Sequence, residues 1–167
     1  MESRTKTFSA KQITTGALLT ALALIFSYIE VLIPFNLGLP GIKLGLANIV
    51  VVVALYKLGP KYGLIINVAR ICLVALLFGN MFSAVYALSG GILSFVCMML
   101  LMKTKLFSVV GVSMAGGVFH NAGQMLAAIV LVSSAKAIYY FPVLLIAGMV
   151  TGIVIGIIAT LIMRALK

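Results

Sequence analysis

Between Ile13 and Met163 the chain is a succession of apolar runs broken only by short turns. Most of these runs are long enough to cross about 30 Å of hydrocarbon as helix. A backbone in lipid has no water to bond with, so each run must satisfy its own amides and carbonyls internally. Charged residues make up 8% of the chain, against about 25% in soluble domains. The expected fold class is therefore an all-α integral membrane protein of six transmembrane helices. The stretch MESRTKTFSA is too short to fold alone, so residues 1–10 read as a cytoplasmic tail and residues 11–167 as a single transmembrane domain. The apolar run that follows the tail exceeds the roughly 7–15 residues of a signal-peptide core and shows no obvious cleavage site.

Helix breakers set the expected spans. Helix 1 covers about Ile13–Ile33 and stops at Pro34, before the proline- and glycine-containing loop PFNLGLPGIK. Helix 2 covers about Leu44–Leu58 and is short for a span; KLGPKY then turns the chain. Helix 3 is expected at about Tyr62–Phe78 and helix 4 at about Phe82–Met102, with the basic turn KTK after it. Helix 5 runs from about Leu106 to Val132, and helix 6 from about Ile138 to Met163.

A net charge of +10 could indicate nucleic acid, but its placement indicates topology instead. With six passes, Arg4, Lys6, Lys11, Lys57, Lys61, Lys103, Lys105, Arg164 and Lys167 fall on one side. Only Lys43 and Lys136 fall on the other. Nine against two places both termini in the cytoplasm by the positive-inside rule. The lipid bilayer is thus the partner that the charge addresses, and no motif that reads DNA or RNA is present. Cys72 and Cys97 fall inside helices 3 and 4 without CxxC spacing and read as small apolar fillers. One histidine and two thiols with no nearby carboxylate make no zinc set, so neither metal nor cofactor is expected.

Arg70, in the middle of helix 3, is the one charge that topology does not use. A guanidinium at membrane depth costs several kcal/mol unless it is paired or hydrated, which makes it a functional candidate by default. At about 1.5 Å per residue, it stands about 12 Å above the start of helix 3, with His120 about 21 Å up helix 5. Glu30, about 26 Å up helix 1, stands too high for easy direct pairing with Arg70.

The stretch GGVFHNAGQM then places His120, Asn121 and Gln124 together in an apolar helix. His120 and Gln124 share a face at i, i+4. Gly116, Gly117 and Gly123 leave the helix thin beside them, suiting a close helix or a ligand. Polar residues in membranes often tie helices together for about 1 kcal/mol or less. The cluster combined with an unpaired Arg70 points instead to an outward-facing pocket, with Asn48 and Lys43 as further polar contributors and Tyr86, Tyr139 and Tyr140 nearby in the outer half. On helix 6, Gly148, Gly152 and Gly156 form GxxxGxxxG, whose default use is packing within the chain. Ala17 and Ala21 form an AxxxA on helix 1.

The run ALLTALALIFSYIEVLIP, the proline–glycine loop and KLGLANIVVVVALYKLGPKYGLIINVAR resemble the substrate-binding S component of an energy-coupling factor (ECF) transporter. More narrowly, KLGLANI and FHNAGQ resemble the Gx transporter family, also known as heptaprenyl diphosphate synthase component I. The resemblance covers nearly the whole chain. It implies an S-component-like bundle in a bacterial cytoplasmic membrane, with separate ATPase and coupling subunits as partners. It also implies that Ala17 and Ala21 meet the coupling subunit, and that residues near 34–43 cap a site open to the outside.

Synthase chemistry is a poor match to the residues. Prenyl diphosphate synthases hold Mg²⁺ and diphosphate with aspartates, and this chain has none; its two acids are Glu2 and Glu30. There is no Walker A pattern, and His120 has no carboxylate in sequence to orient it as a base. The sequence thus reads as a noncatalytic subunit that captures a small-molecule substrate from outside. Its alternative is a noncatalytic membrane accessory subunit of a prenyl diphosphate synthase. A self-sufficient carrier is disfavoured, because no clear inverted repeat and no set of intramembrane carboxylates for ion coupling is present.

Overall fold

The computed structural model describes residues 10–32, 45–132, 138–139 and 141–166. They form six helices: α1 (Ala10–Leu32), α2 (Leu46–Lys57), α3 (Pro60–Phe78), α4 (Met81–Thr104), α5 (Val109–Val132) and α6 (Phe141–Ala165). Five of these, all but α2, are long and apolar enough to cross a membrane. The chain is a multi-pass, all-α membrane protein.

Local sequence chemistry sets the joints. Pro60 opens α3 at a position where its missing N–H costs nothing, directly after Gly59 at φ 92°. Asn80 caps α4: its side chain accepts from the Ser83 amide at 2.9 Å, and the Asn80 amide donates to Ser83 Oγ at 2.9 Å. This reciprocal pair satisfies two donors at the helix end. Lys105, at φ 58°, ends α4 in the left-handed region, and Val109 begins α5. Short links of this kind make consecutive helices antiparallel. Lys57, Lys61, Lys103, Lys105 and Arg164 are all exposed, and the alternation brings them to one end of the bundle.

The helices sort into two groups. α1, α2 and α3 pack on one another, while α5 lies between α4 and α6; α3–α4 and α2–α6 contacts join the groups. At 12 residues, α2 reaches only about 18 Å. Its run of Ile49, Val50, Val51, Val52, Val53, Ala54 and Leu55 is buried on every side. A helix that is apolar all round belongs in an interior, and α2 is the core of this bundle. Val51, Val52 and Leu55 pack with Phe95 and Met98 of α4, Val112 of α5 and Ile155 of α6. Val50 and Ala54 pack on the opposite side against Ala23 of α1 and Ile66 of α3.

The glycine series of α6 lies directly on α5. A Cβ at Gly148 would lie 2.6 Å from the Gly117 carbonyl oxygen, and one at Gly152 would lie 2.7 Å from Met114 Cα. Packing within the chain accounts for the whole GxxxGxxxG motif.

Several sequence expectations shift. α5 starts at Val109 rather than Leu106, and α6 at Phe141 rather than Ile138, while α4 extends to Thr104. α1 begins at Ala10 rather than Ile13, so the last residue of the stretch read as a tail already belongs to the helix. Cys72 is exposed on α3 rather than filling the interior, and Cys97 is half-buried.

Candidate functional site

The site grows from the first turn of α2. Gly45 precedes that helix at φ 73°, in the left-handed region that favours glycine. A helix start leaves amide donors without intrahelical partners, and inside a bilayer they cannot turn to bulk water. Glu30 of α1 supplies the acceptor: the Gly45 and Leu46 amides both donate to its Oε1, the second at 3.1 Å. Glu30 thus caps a helix of another segment, and a negative charge suits the positive end of the helix dipole.

One turn into α2, Asn48 meets Arg70 of α3. Arg70 is 9% exposed, and its Nη2 donates to Asn48 Oδ1 at 2.7 Å and to Asn67 Oδ1 at 3.0 Å. Asn67 is itself held, donating from Nδ2 to the Gly91 carbonyl of α4 at 3.0 Å. Gly91 leaves room for that approach, since a Cβ there would come within 3.3 Å of Asn67 Nδ2 and 2.6 Å of Ile71 Cδ1. The chain Asn48–Arg70–Asn67–Gly91 links α2, α3 and α4 through one charged side chain. Arg70 makes no ion pair among the described residues, and both of its hydrogen bonds end on amide oxygens.

The depth argument of the sequence is corrected by the observed helix starts. Arg70 lies ten residues into α3 and His120 eleven residues into α5, so they stand nearly level, about 15–17 Å from their helix starts. No outward reach by Arg70 is needed to bring the two together. Glu30, expected to stand too high for the arginine, lines the same chamber with it.

Two small cavities meet here. The first, about 90 Å³, is bounded by Ser27, Glu30, Arg70 and Ile71, and by Gly45, Asn48, His120 and Gln124. The second, about 40 Å³, lies between α2, α4, α5 and α6, lined by Ser94, Ser113, Asn121 and Thr151 together with the same last four residues. Gly45, Asn48, His120 and Gln124 line both cavities and therefore form the partition between two adjoining chambers. Each chamber has room for a few waters or one compact polar group.

Of the sequence-derived candidates, Asn48, His120 and Gln124 come together at this partition, and Arg70, bonded to Asn48, lines the first chamber beside them. Asn121 lines the second chamber but is committed to α6, donating from Nδ2 to the Leu144 carbonyl at 2.6 Å. Lys43, Asn36, Lys136 and the capping segment 34–43 lie outside the described residues. Ala17 and Ala21 are exposed on α1, and Ala17 borders an apolar groove with Ile13, Gly16, Tyr62 and Ile65. Sequence reasoning missed the roles of Asn67 and Glu30. The signal for Asn67 is its place three residues before Arg70, on the same helix face. For Glu30 there is none within α1, because its partners are backbone amides of another helix.

The model of the family described as heptaprenyl diphosphate synthase component I matches residues 19–162. No curated protein and no solved structure matches the chain. With no aspartate anywhere and Glu30 engaged at α2, the carboxylates that bind Mg²⁺–diphosphate in a synthase are not supplied by this chain. The chain belongs to the heptaprenyl diphosphate synthase component I family, as a multi-pass membrane protein.

Proposed function

We propose that this protein is the membrane-embedded solute-binding subunit of an uptake transporter of the ECF type. It captures a small molecule from outside and depends on separate coupling and ATPase subunits for energy. One observation carries the proposal: two adjoining chambers that gather Glu30, Arg70, Asn48, His120 and Gln124 inside an otherwise apolar bundle, built around the start of a helix too short to span. Polar groups at membrane depth are costly, and a bundle held only by packing has no need to gather them around a cavity. Exposure of Ala17 and Ala21 beside a groove on α1 leaves a small-residue face free for another helix, as the resemblance to S components implies.

A second reading, an accessory membrane subunit of a prenyl diphosphate synthase, is favoured by the family's description alone. Co-expression with an ECF coupling subunit and its two ATPases separates the two readings. The expected result is a stable complex that takes up solute at the expense of ATP. Ala17→Leu should weaken that complex severalfold, because a bulky side chain keeps helix backbones apart. Assembly with a soluble prenyl synthase subunit, and none with the coupling module, would refute the proposal.

A further inference from the structure

The charges of the first chamber narrow the ligand's chemistry. Both hydrogen bonds of Arg70 leave from Nη2 and end on neutral amide oxygens, which orient the guanidinium without cancelling its charge. Its Nε is buried and has no hydrogen-bond partner among the described residues. Glu30, the only acid among those residues, is directed at the Gly45 and Leu46 amides rather than at Arg70. The positive end of α2 carries about half a charge. Arg70, Glu30 and that helix end therefore leave the chamber with a positive excess of about half a charge.

The site so made is small and well supplied with donors. Its volume of about 90 Å³ matches one compact oxyanion and excludes a bulky group. The Gln124 side chain reaches it from α5. Asn48 stands beside Gly45, whose added Cβ would lie 3.1 Å from Asn48 Nδ2. Helix starts buried in transporter interiors serve to receive anionic substrate groups. Here the second, independent feature is Arg70 itself, which lines the same chamber, is nine-tenths buried and keeps one donor without a partner among the described residues.

We propose that the chamber is an anion seat. A carboxylate or phosphate group of the ligand docks between Arg70 and the first turn of α2, with Asn48 and Gln124 completing its hydrogen bonds. The rest of the ligand passes the His120 partition toward the second chamber. This inference rests on the solute-capture proposal and specifies its substrate class: a small organic molecule bearing one compact anionic group.

The test uses the full-length chain in phosphatidylcholine nanodiscs, whose lipid carries no net negative charge. Thermal unfolding is followed with propionate, inorganic phosphate and propionamide at fixed ionic strength. Propionate, phosphate or both should raise Tm saturably, whereas propionamide, of the same shape but uncharged, should not. Arg70→Gln should weaken the response at least about tenfold, and Arg70→Lys should retain part of it. If Arg70→Gln does not fold, the acid–amide comparison on the unaltered chain still decides. Equal shifts with acid and amide, no shift with any probe, or an unchanged response in folded Arg70→Gln would each overturn the seat. Native mass spectrometry keeps the two proposals apart: a retained uncharged solute overturns the anion seat and leaves solute capture standing.

Discussion

Placing a single methyl group between α5 and α6 is the sharpest test of the packing that holds the cleft. An added Cβ at Gly117 would lie 2.1 Å from the Gly148 carbonyl oxygen, and contacts under 3.0 Å are essentially never seen. The obstacle is backbone, with no flexible side chain to swing away, so the helices must part by about 1 Å. Asn121 donates to the Leu144 carbonyl across the same seam at 2.6 Å, and that separation would stretch the bond beyond useful length. Overpacking costs about 1–3 kcal/mol, and a hydrogen bond in a membrane bundle adds about 0.6 kcal/mol. Gly117→Ala should therefore destabilise the protein by about 2–3 kcal/mol, lowering Tm by roughly 4–12 °C. Gly111→Ala is the control on the same helix: its nearest contacts would be an ordinary 3.7 Å. There the substitution should be neutral or slightly stabilising, since alanine favours helix over glycine by up to about 1 kcal/mol. Thermal unfolding of both variants in nanodiscs decides. If Gly117→Ala melts with the unaltered protein, or the two variants behave alike, the α5–α6 seam described here is wrong.

Asn121→Ala and Gln124→Ala, three residues apart, should part company. The first should chiefly lower Tm through loss of the Leu144 bond, while the second should chiefly lower affinity by roughly five- to a hundredfold for an unpaired ligand acceptor. A shared profile for the two in unfolding and ligand-binding assays would contradict the division between tie and site. Both termini should be cytoplasmic, so Asn36→Cys and Lys136→Cys should react with an impermeant thiol reagent from outside and Lys103→Cys should not. The reverse labelling pattern would invert the orientation and put the capture site on the wrong side of the membrane.

How much of this was legible in the sequence differs from feature to feature, for physical reasons. Helices longer than the bilayer is thick announce themselves by composition, and all six were expected near their observed places. Helix 2 was legible as a helix and as the shortest one, but not as the core. An apolar segment bounded by glycine reads the same whether it faces lipid or is enclosed by α1, α3 and α6. Helix starts were the costlier errors. Lys105 in the left-handed region and the link to Val109 delay α5 by three residues, and Pro60 starts α3 two residues early. Those offsets, about 3–5 Å each, created the depth gap between Arg70 and His120 that the structure removes. Residues of α1 were opaque for another reason. The partners of Glu30 are the amides of Gly45 and Leu46, fifteen and sixteen positions away, and no side-chain pattern encodes a bond to backbone.

The sequence also posed its polar residues as a choice between helix ties and a binding site, and the structure shows which of them make bonds between helices and which border the cavities. Asn67 and Asn121 each donate to a carbonyl of a neighbouring helix, Gly91 in one case and Leu144 in the other. An asparagine suits that work, because its short, branched amide reaches a nearby backbone with little freedom to lose. Gln124 and His120 instead stand on the partition, bordering both chambers. Arg70 and Asn48 join α3 to α2 through one bond and both line the first chamber. With Asn67 held by Gly91, its amide oxygen accepts from Nη2 of an arginine that lines the first chamber. Helix ties in this bundle are thus the means by which a costly buried charge is kept in place beside that chamber.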